Sequence, residues 1–147
     1  DRVKAIKVLP DGIYLEMEGI DELVQINAAG DGIRRFLNIV STIANLESKI
    51  VLIDEIENGL HYSAYKLLWQ SILVISKVTN VQLFITTHSM ETLKCLNEIL
   101  REESNAKYCD WVNSYTIANT KLKGFQTYRY NYEGFTNAIE NEIEIRS

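Results

Sequence analysis

The chain has 147 residues, of which 46% are hydrophobic and 24% charged, with a formal net charge of −5. That balance supports a packed core and excludes a disordered chain, and its acidity weighs against this stretch being the main surface that grips nucleic acid. No apolar run approaches the roughly 20 residues that span a bilayer, so the expectation is a cytoplasmic protein without membrane contact.

The chain begins at Asp1 without an initiator Met and runs directly into strand-like sequence, so it is expected to be a piece of a longer protein. "VKAIKVLPDGIYLEM" alternates on either side of Pro10-Asp11-Gly12, the turn chemistry of a hairpin spanning about 3–9 and 13–18. A short extended piece, "LVQIN", precedes "AAGDGIRRFLNIVSTIANL". There Ile33, Leu37, Val40 and Ala44 recur at helical spacing while Arg34, Arg35, Asn38 and Thr42 take other faces, which predicts an amphipathic helix entered through Gly30 and Gly32.

"KIVLI" and "VQLFITT" are short, continuously apolar and rich in β-branched residues, as strands covered on both faces are. The intervening "HYSAYKLLWQSILVISKV" has the length of a helix of several turns, with core-facing aromatics, so the three segments predict a right-handed crossover between parallel strands. A further helix is expected from about Met90 to Glu103, a second hairpin from "NSYTIAN" and "GFQTYRYNY", and a closing helix in "GFTNAIENEIEI". No linker, repeat or low-complexity tract interrupts the chain, so residues 1–147 are expected to form a single α/β domain. Cys95 and Cys109 lack CxxC spacing and read as reduced structural cysteines.

In open α/β sheets ligands gather at the carboxyl ends of the strands. Asp54 and Glu55 end the first buried strand, and His88 ends the second after Thr86 and Thr87. One carboxylate could hold a divalent cation while the other orients or deprotonates a water; the competing reading is a capped loop with ordinary ion pairs. Glu57, beyond the strand, reads as a solvated turn residue. A histidine opening a helix is commonly a cap, and glycines opening a helix are commonly turn residues. Tyr128, Tyr130 and Tyr132 could form a stacking platform for single strands, but one nearby Arg129 and two lysines favour an aromatic face packed on the domain. Arg34 and Arg35 either contact a partner subunit or solvate the helix.

Taken in order, "AGDGIRR", "VLIDEIENGLH" and "ITTHS" resemble the C-terminal lobe of an ABC-type ATPase head, most closely the AAA-15/AAA-21 group. These are relatives of the OLD-family ATPases and, more distantly, of SMC and RecF-like DNA-maintenance ATPases. The resemblance implies a parallel-sheet P-loop NTPase lobe with flanking helices and peripheral hairpins. It implies that Asp54 is the Walker B aspartate acting on Mg2+, that Glu55 is the general base, and that His88 is the switch histidine contacting the γ-phosphate of ATP. It further implies that Asn58, Gly59, Leu60 and His61 form the D-loop. Ala28, Ala29, Gly30, Asp31 and Gly32 would occupy the signature motif that faces the nucleotide of a second subunit.

Two departures accompany this likeness. The signature serine is replaced by Ala28, and Asp31 adds negative charge beside it; no G-x-x-x-x-G-K-[ST] phosphate loop occurs anywhere in the chain. The missing loop implies that ATP and Mg2+ need an N-terminal half and that this segment alone is inactive. A homodimer is implied for the full-length protein, with DNA or an effector protein reached through other regions, in DNA maintenance or in defence against phage and other mobile elements. Two alternatives stay open: a non-catalytic, nucleotide-gated interaction module, and the ATPase component of a nuclease or toxin system.

Overall fold

The computed structural model describes residues 3–25, 31–45, 49–120 and 123–141; among these, four α-helices connect three small sheets. β1 (Val3–Leu9) and β2 (Gly12–Met17) pair antiparallel with Leu9 opposite Gly12, so Pro10 and Asp11 are the two-residue connection. The Tyr14 hydroxyl donates to the Asp11 carboxylate at 2.7 Å, closing the turn. β3 (Val24–Gln25) extends this sheet along β2.

The centre of the molecule is a strand-helix-strand unit. β4 (Ile50–Ile53) and β5 (Gln82–Ile85) lie parallel, with Ile50 beside Gln82 and Ile53 beside Ile85. α2 (Tyr65–Thr79) joins them through a 3-10 turn at Tyr62–Ala64, burying Tyr65, Leu68, Trp69 and Ile72 at helical spacing. It stops at Asn80, whose left-handed backbone (φ 54°) is the kind of exit that asparagine tolerates. α1 (Asp31–Asn45) and α3 (Met90–Arg101) both pack against α2. Their side chains join those of α2, β4, β5 and α4 (Tyr132–Glu140) in one apolar cluster. Ile43, Ile56, Leu68, Ile99, Leu100 and Phe135 are its largest fully buried side chains, and each contributes roughly 1.5–3 kcal/mol by leaving water.

Polar side chains fix the ends of the later helices. The Ser89 hydroxyl accepts the Thr92 N–H at 3.2 Å to start α3, and Asn131 Oδ1 accepts the Gly134 N–H at 3.0 Å to start α4. Between them a 3-10 stretch (Glu103–Trp111) leads into the antiparallel hairpin β6 (Ser114–Thr120) and β7 (Gly124–Tyr130). Buried Asn97 on α3 accepts the Thr136 hydroxyl of α4 at 2.8 Å, so the last helix is tied to the core by a satisfied polar contact.

Four expectations change. The two central strands are covered on one face only: Val51 and Ile53 are buried, whereas Ile50, Leu52 and Phe84 are 54%, 78% and 51% exposed. A continuous apolar run cannot distinguish a strand covered twice from one whose second face is apolar and open. On α1 the buried residues are Ile39 and Ile43, with Phe36 packed on the core, while Ala44 is exposed and Ile33, Leu37 and Val40 are half-buried. The helix carries two adjacent apolar stripes, and packing against β4 and α2 selects the second. Tyr62 is exposed, unlike Tyr65 and Trp69. The hairpin divides its aromatics: Tyr130 packs on the core with neighbouring Tyr132, while Tyr128 remains exposed. Cys95 and Cys109 are free thiols.

Candidate active site at the strand ends

The parallel register dictates what meets what. Because Ile53 lies beside Ile85, the next residues, Asp54 and Thr86, leave the sheet side by side. The Thr86 hydroxyl donates to Asp54 Oδ1 at 2.5 Å and accepts the Glu55 N–H at 2.9 Å. The Thr86 N–H donates to Ile53 O at 2.9 Å, and Thr86 O accepts the Ile56 N–H at 3.1 Å. One threonine thus continues the ladder beyond the sheet and orients the aspartate.

Glu55 sits in the left-handed region (φ 45°), unusual for a residue with a β-carbon. The turn after it is closed by Asn58 N–H to Glu55 O at 2.9 Å and by Leu60 N–H to Glu57 O at 3.0 Å, with Gly59 at φ 73°. Glu57 faces the protein rather than solvent. Its Oε1 accepts the His88 N–H at 2.8 Å, and its enclosed Oε2 has no hydrogen-bond partner among the described residues. Burial raises its pKa, but the polar hydrogens gathered around the carboxylate, on the Thr87 hydroxyl, its own N–H and the N–H groups of His88 and Ser89, outweigh that. The net shift is below the ordinary glutamate value of 4.5.

The start of α1 abuts the same turn. A β-carbon on Gly32 would lie 3.1 Å from the Gly59 carbonyl oxygen, so any larger residue there would have to push the Gly59 backbone back by a few tenths of an ångström. The Asp31 carboxylate pairs with Arg34 one turn on, offsetting the charge it adds at the helix start. Arg35 neither solvates the helix nor points away from the sheet: its Nη2 donates to Asp54 O at 3.1 Å and to Glu55 O at 3.4 Å. Gly30, with Ala28 and Ala29, lies outside the described residues.

Of the residues singled out in the sequence, Asp54, Glu55 and His88 share one end of the β4–β5 pair, and Asn58 and Gly59 lie on the turn that meets Gly32. All but Gly32 in that set are exposed to solvent. The His61 ring is engaged locally: Nδ1 lies 3.0 Å from the Ser63 hydroxyl and accepts the Ser63 N–H at 3.4 Å, capping the 3-10 turn. Three participants escaped sequence reading: Thr86, Glu57 and Arg35. Thr86 was the most accessible, since a hydroxyl at the position beside the aspartate follows once the register of the two strands is known.

Among the described residues no group of three or more His, Cys, Asp or Glu side chains could hold a metal by itself. Mg2+ typically keeps several waters and binds through one or two carboxylates plus substrate phosphates. An exposed aspartate oriented by a threonine, followed by a glutamate, fits a cation of that kind shared with a phosphate ligand.

A parallel strand pair joined by a crossover helix, with an oriented Asp-Glu at one tip and Thr-His at the next, defines an α/β lobe whose polar groups gather at the strand ends. The chain belongs to the AAA ATPase domain family designated AAA_15, whose model matches residues 4–93. It is 38% identical over 97 residues to the "ATP/GTP phosphatase" of Helicobacter pylori, a match covering 64% of this chain and 26% of that protein. The chain therefore spans about a quarter of this curated relative. A solved SMC ATPase structure, from work on ATP-driven dimerization and DNA-stimulated activation of such enzymes, superposes with a TM-score of 0.57 at 15% identity. That superposition covers 88% of this chain and 71% of the other, and it establishes the shared fold.

Proposed function

We propose that this chain is the C-terminal part of an ABC-type ATPase head whose full-length protein binds ATP with Mg2+, dimerises around the nucleotide and hydrolyses it. The observation that carries this reading is the Thr86 bridge, which joins the Asp54-Glu55 tip of β4 to the His88 segment of β5. Asp54 acts on the cation, Glu55 is the base that takes a proton from the attacking water, and His88 contacts the γ-phosphate. Asp31 and Gly32 present the start of α1 to the nucleotide of the second subunit, a role shared in this reading with Asn58, Gly59 and His61 and, by its place in the sequence motif, with Gly30. Mg2+, when bound, supplies charge neutralisation on the phosphates, the main requirement of phosphoryl transfer. The protein's own work is positional: Thr86 orients Asp54, and Glu57 fixes the backbone that carries His88.

The names of the relatives support this reading, one as an ATP/GTP phosphatase and one as an ATPase driven into dimers by ATP and stimulated by DNA. DNA maintenance or defence against mobile elements is the setting we assign, in the cytoplasm; among the described residues no helix is long and apolar enough to cross a membrane. The rival reading, a nucleotide-gated module without turnover, leans on Ala28 in place of the signature serine and on the charge of Asp31; the Arg34 pair offsets the second of these and leaves the first.

The test is phosphate release by full-length protein with ATP and Mg2+. Glu55→Gln is expected to lower it by about 100-fold or more, the scale of general-base loss, while ATP binding persists. Unchanged release would defeat the catalytic reading. The 147-residue chain alone, which has no G-x-x-x-x-G-K-[ST] loop, is expected to release no measurable phosphate.

A further inference from the structure

Arg35 lies one turn into α1, on the side that meets the end of β4. Its guanidinium donates through Nη2 to two consecutive main-chain carbonyls, Asp54 O at 3.1 Å and Glu55 O at 3.4 Å. Nε is enclosed and lacks a hydrogen-bond partner among the described residues. Its one described destination is therefore the peptide on which the acidic pair is mounted. Cationic donors to carbonyls are stronger than neutral ones, and the two hydrogens of the single Nη2 serve two neighbouring acceptors.

That peptide needs holding. Glu55 adopts φ 45°, a conformation disfavoured for residues with a β-carbon. Its N–H is fixed by the Thr86 hydroxyl at 2.9 Å, and its carbonyl accepts the Asn58 N–H at 2.9 Å as well as Arg35. Thr86 directly follows β5 and Asn58 lies in the turn, so among the described residues the hydrogen-bond tie from this peptide to α1 is Arg35.

We infer that Arg35 is a positioning residue for Glu55: it holds the Asp54 and Glu55 carbonyls against α1 and thereby sets where the Glu55 carboxylate is presented. The inference rests on the reading of Glu55 as the base. It also gives α1, which begins at Asp31 and touches the Asn58–Leu60 turn through Gly32, a direct mechanical path to that base. A displacement of α1 reaches Glu55 through the Arg35 side chain as well as through that turn.

A double-mutant cycle on the full-length protein tests this, using single-turnover ATP hydrolysis with Mg2+ and separate measurement of ATP affinity. Arg35→Met is expected to lower the chemical rate about tenfold with ATP affinity within about twofold, and Arg35→Lys to recover part of the loss. In the Glu55→Gln background, adding Arg35→Met is expected to cost nothing further, because a residue that acts only through Glu55 has nothing left to position. The same tenfold loss in both backgrounds would mark a role independent of Glu55 and overturn the inference, as would an unaltered rate in Arg35→Met. Should Arg35→Met fail to fold, the cycle is run with Arg35→Lys under the same criteria. If Glu55→Gln itself retains the wild-type rate, the proposed function falls and takes this inference with it. An inactive Glu55→Gln beside a fully active Arg35→Met sinks the Arg35 role alone.

Discussion

The tip of the β4–β5 pair and the β6–β7 hairpin are both exposed, and they are built in opposite ways. At the tip, side chains reach across elements to main chain: Thr86 to Glu55, Glu57 to His88, Arg35 to Asp54 and Glu55. The hairpin is held by its own ladder and shows solvent a face bearing Tyr115, Ile117 and Phe125, the last 76% exposed, with Arg129 donating to Asn113 at 2.7 Å. Exposure alone therefore does not mark chemistry. What separates the two is how tightly the exposed groups are held, since a reactive group must be kept within a fraction of an ångström of its task.

Substitutions can break that comparison. The largest effect after loss of Glu55 is expected for Thr86→Val, which keeps shape but removes both the Asp54 contact and the acceptor for Glu55 N–H. It should lower phosphate release by full-length protein about 10- to 100-fold and destabilise the fold by about 1–2 kcal/mol in urea unfolding.

Glu57→Gln comes next, through stability and pH. The Glu57 pKa lies below its ordinary value of 4.5 in the folded chain, so the folded state favours the charged carboxylate. The stabilisation is present above that value and is lost as pH falls through the lower, folded pKa. The wild-type unfolding midpoint should thus drop more steeply below about pH 4.5 than that of Glu57→Gln; parallel curves would show that the carboxylate is not what secures the His88 segment.

The smallest effect belongs to the hairpin. Phe125→Ser should leave phosphate release unchanged and shift stability by no more than about 0.5 kcal/mol, as surface changes do. A large loss of turnover would show that the hairpin takes part in the chemistry after all.

Much of the architecture was legible from local pattern. Pro10-Asp11-Gly12, two aliphatic runs flanking a helix-length segment, and the aromatic hairpin each carry a physical signature that the fold reproduces. The acidic tip was visible because charge directly behind an aliphatic strand is costly without compensation. Its wiring was hidden for a common reason: each missing connection depends on a relation between elements. Arg35 reaches the strand only because Ile39 and Ile43, rather than Ile33 and Leu37, turn inward. Glu57 looks like a solvated turn residue until the loop after β5 comes to meet it. Nothing in the residue types around Glu55 announces its positive φ.

The uncovered side of the β4–β5 pair has a practical consequence. Ile50, Leu52 and Phe84 form an oily surface on a short sheet, the kind of surface on which proteins stick to one another and to hydrophobic resins. Produced alone, this stretch is expected to behave as a sticky, dye-binding protein even when every helix is correctly folded. Poor solution behaviour of the 147 residues would then report an unclothed strand pair rather than a failure to fold.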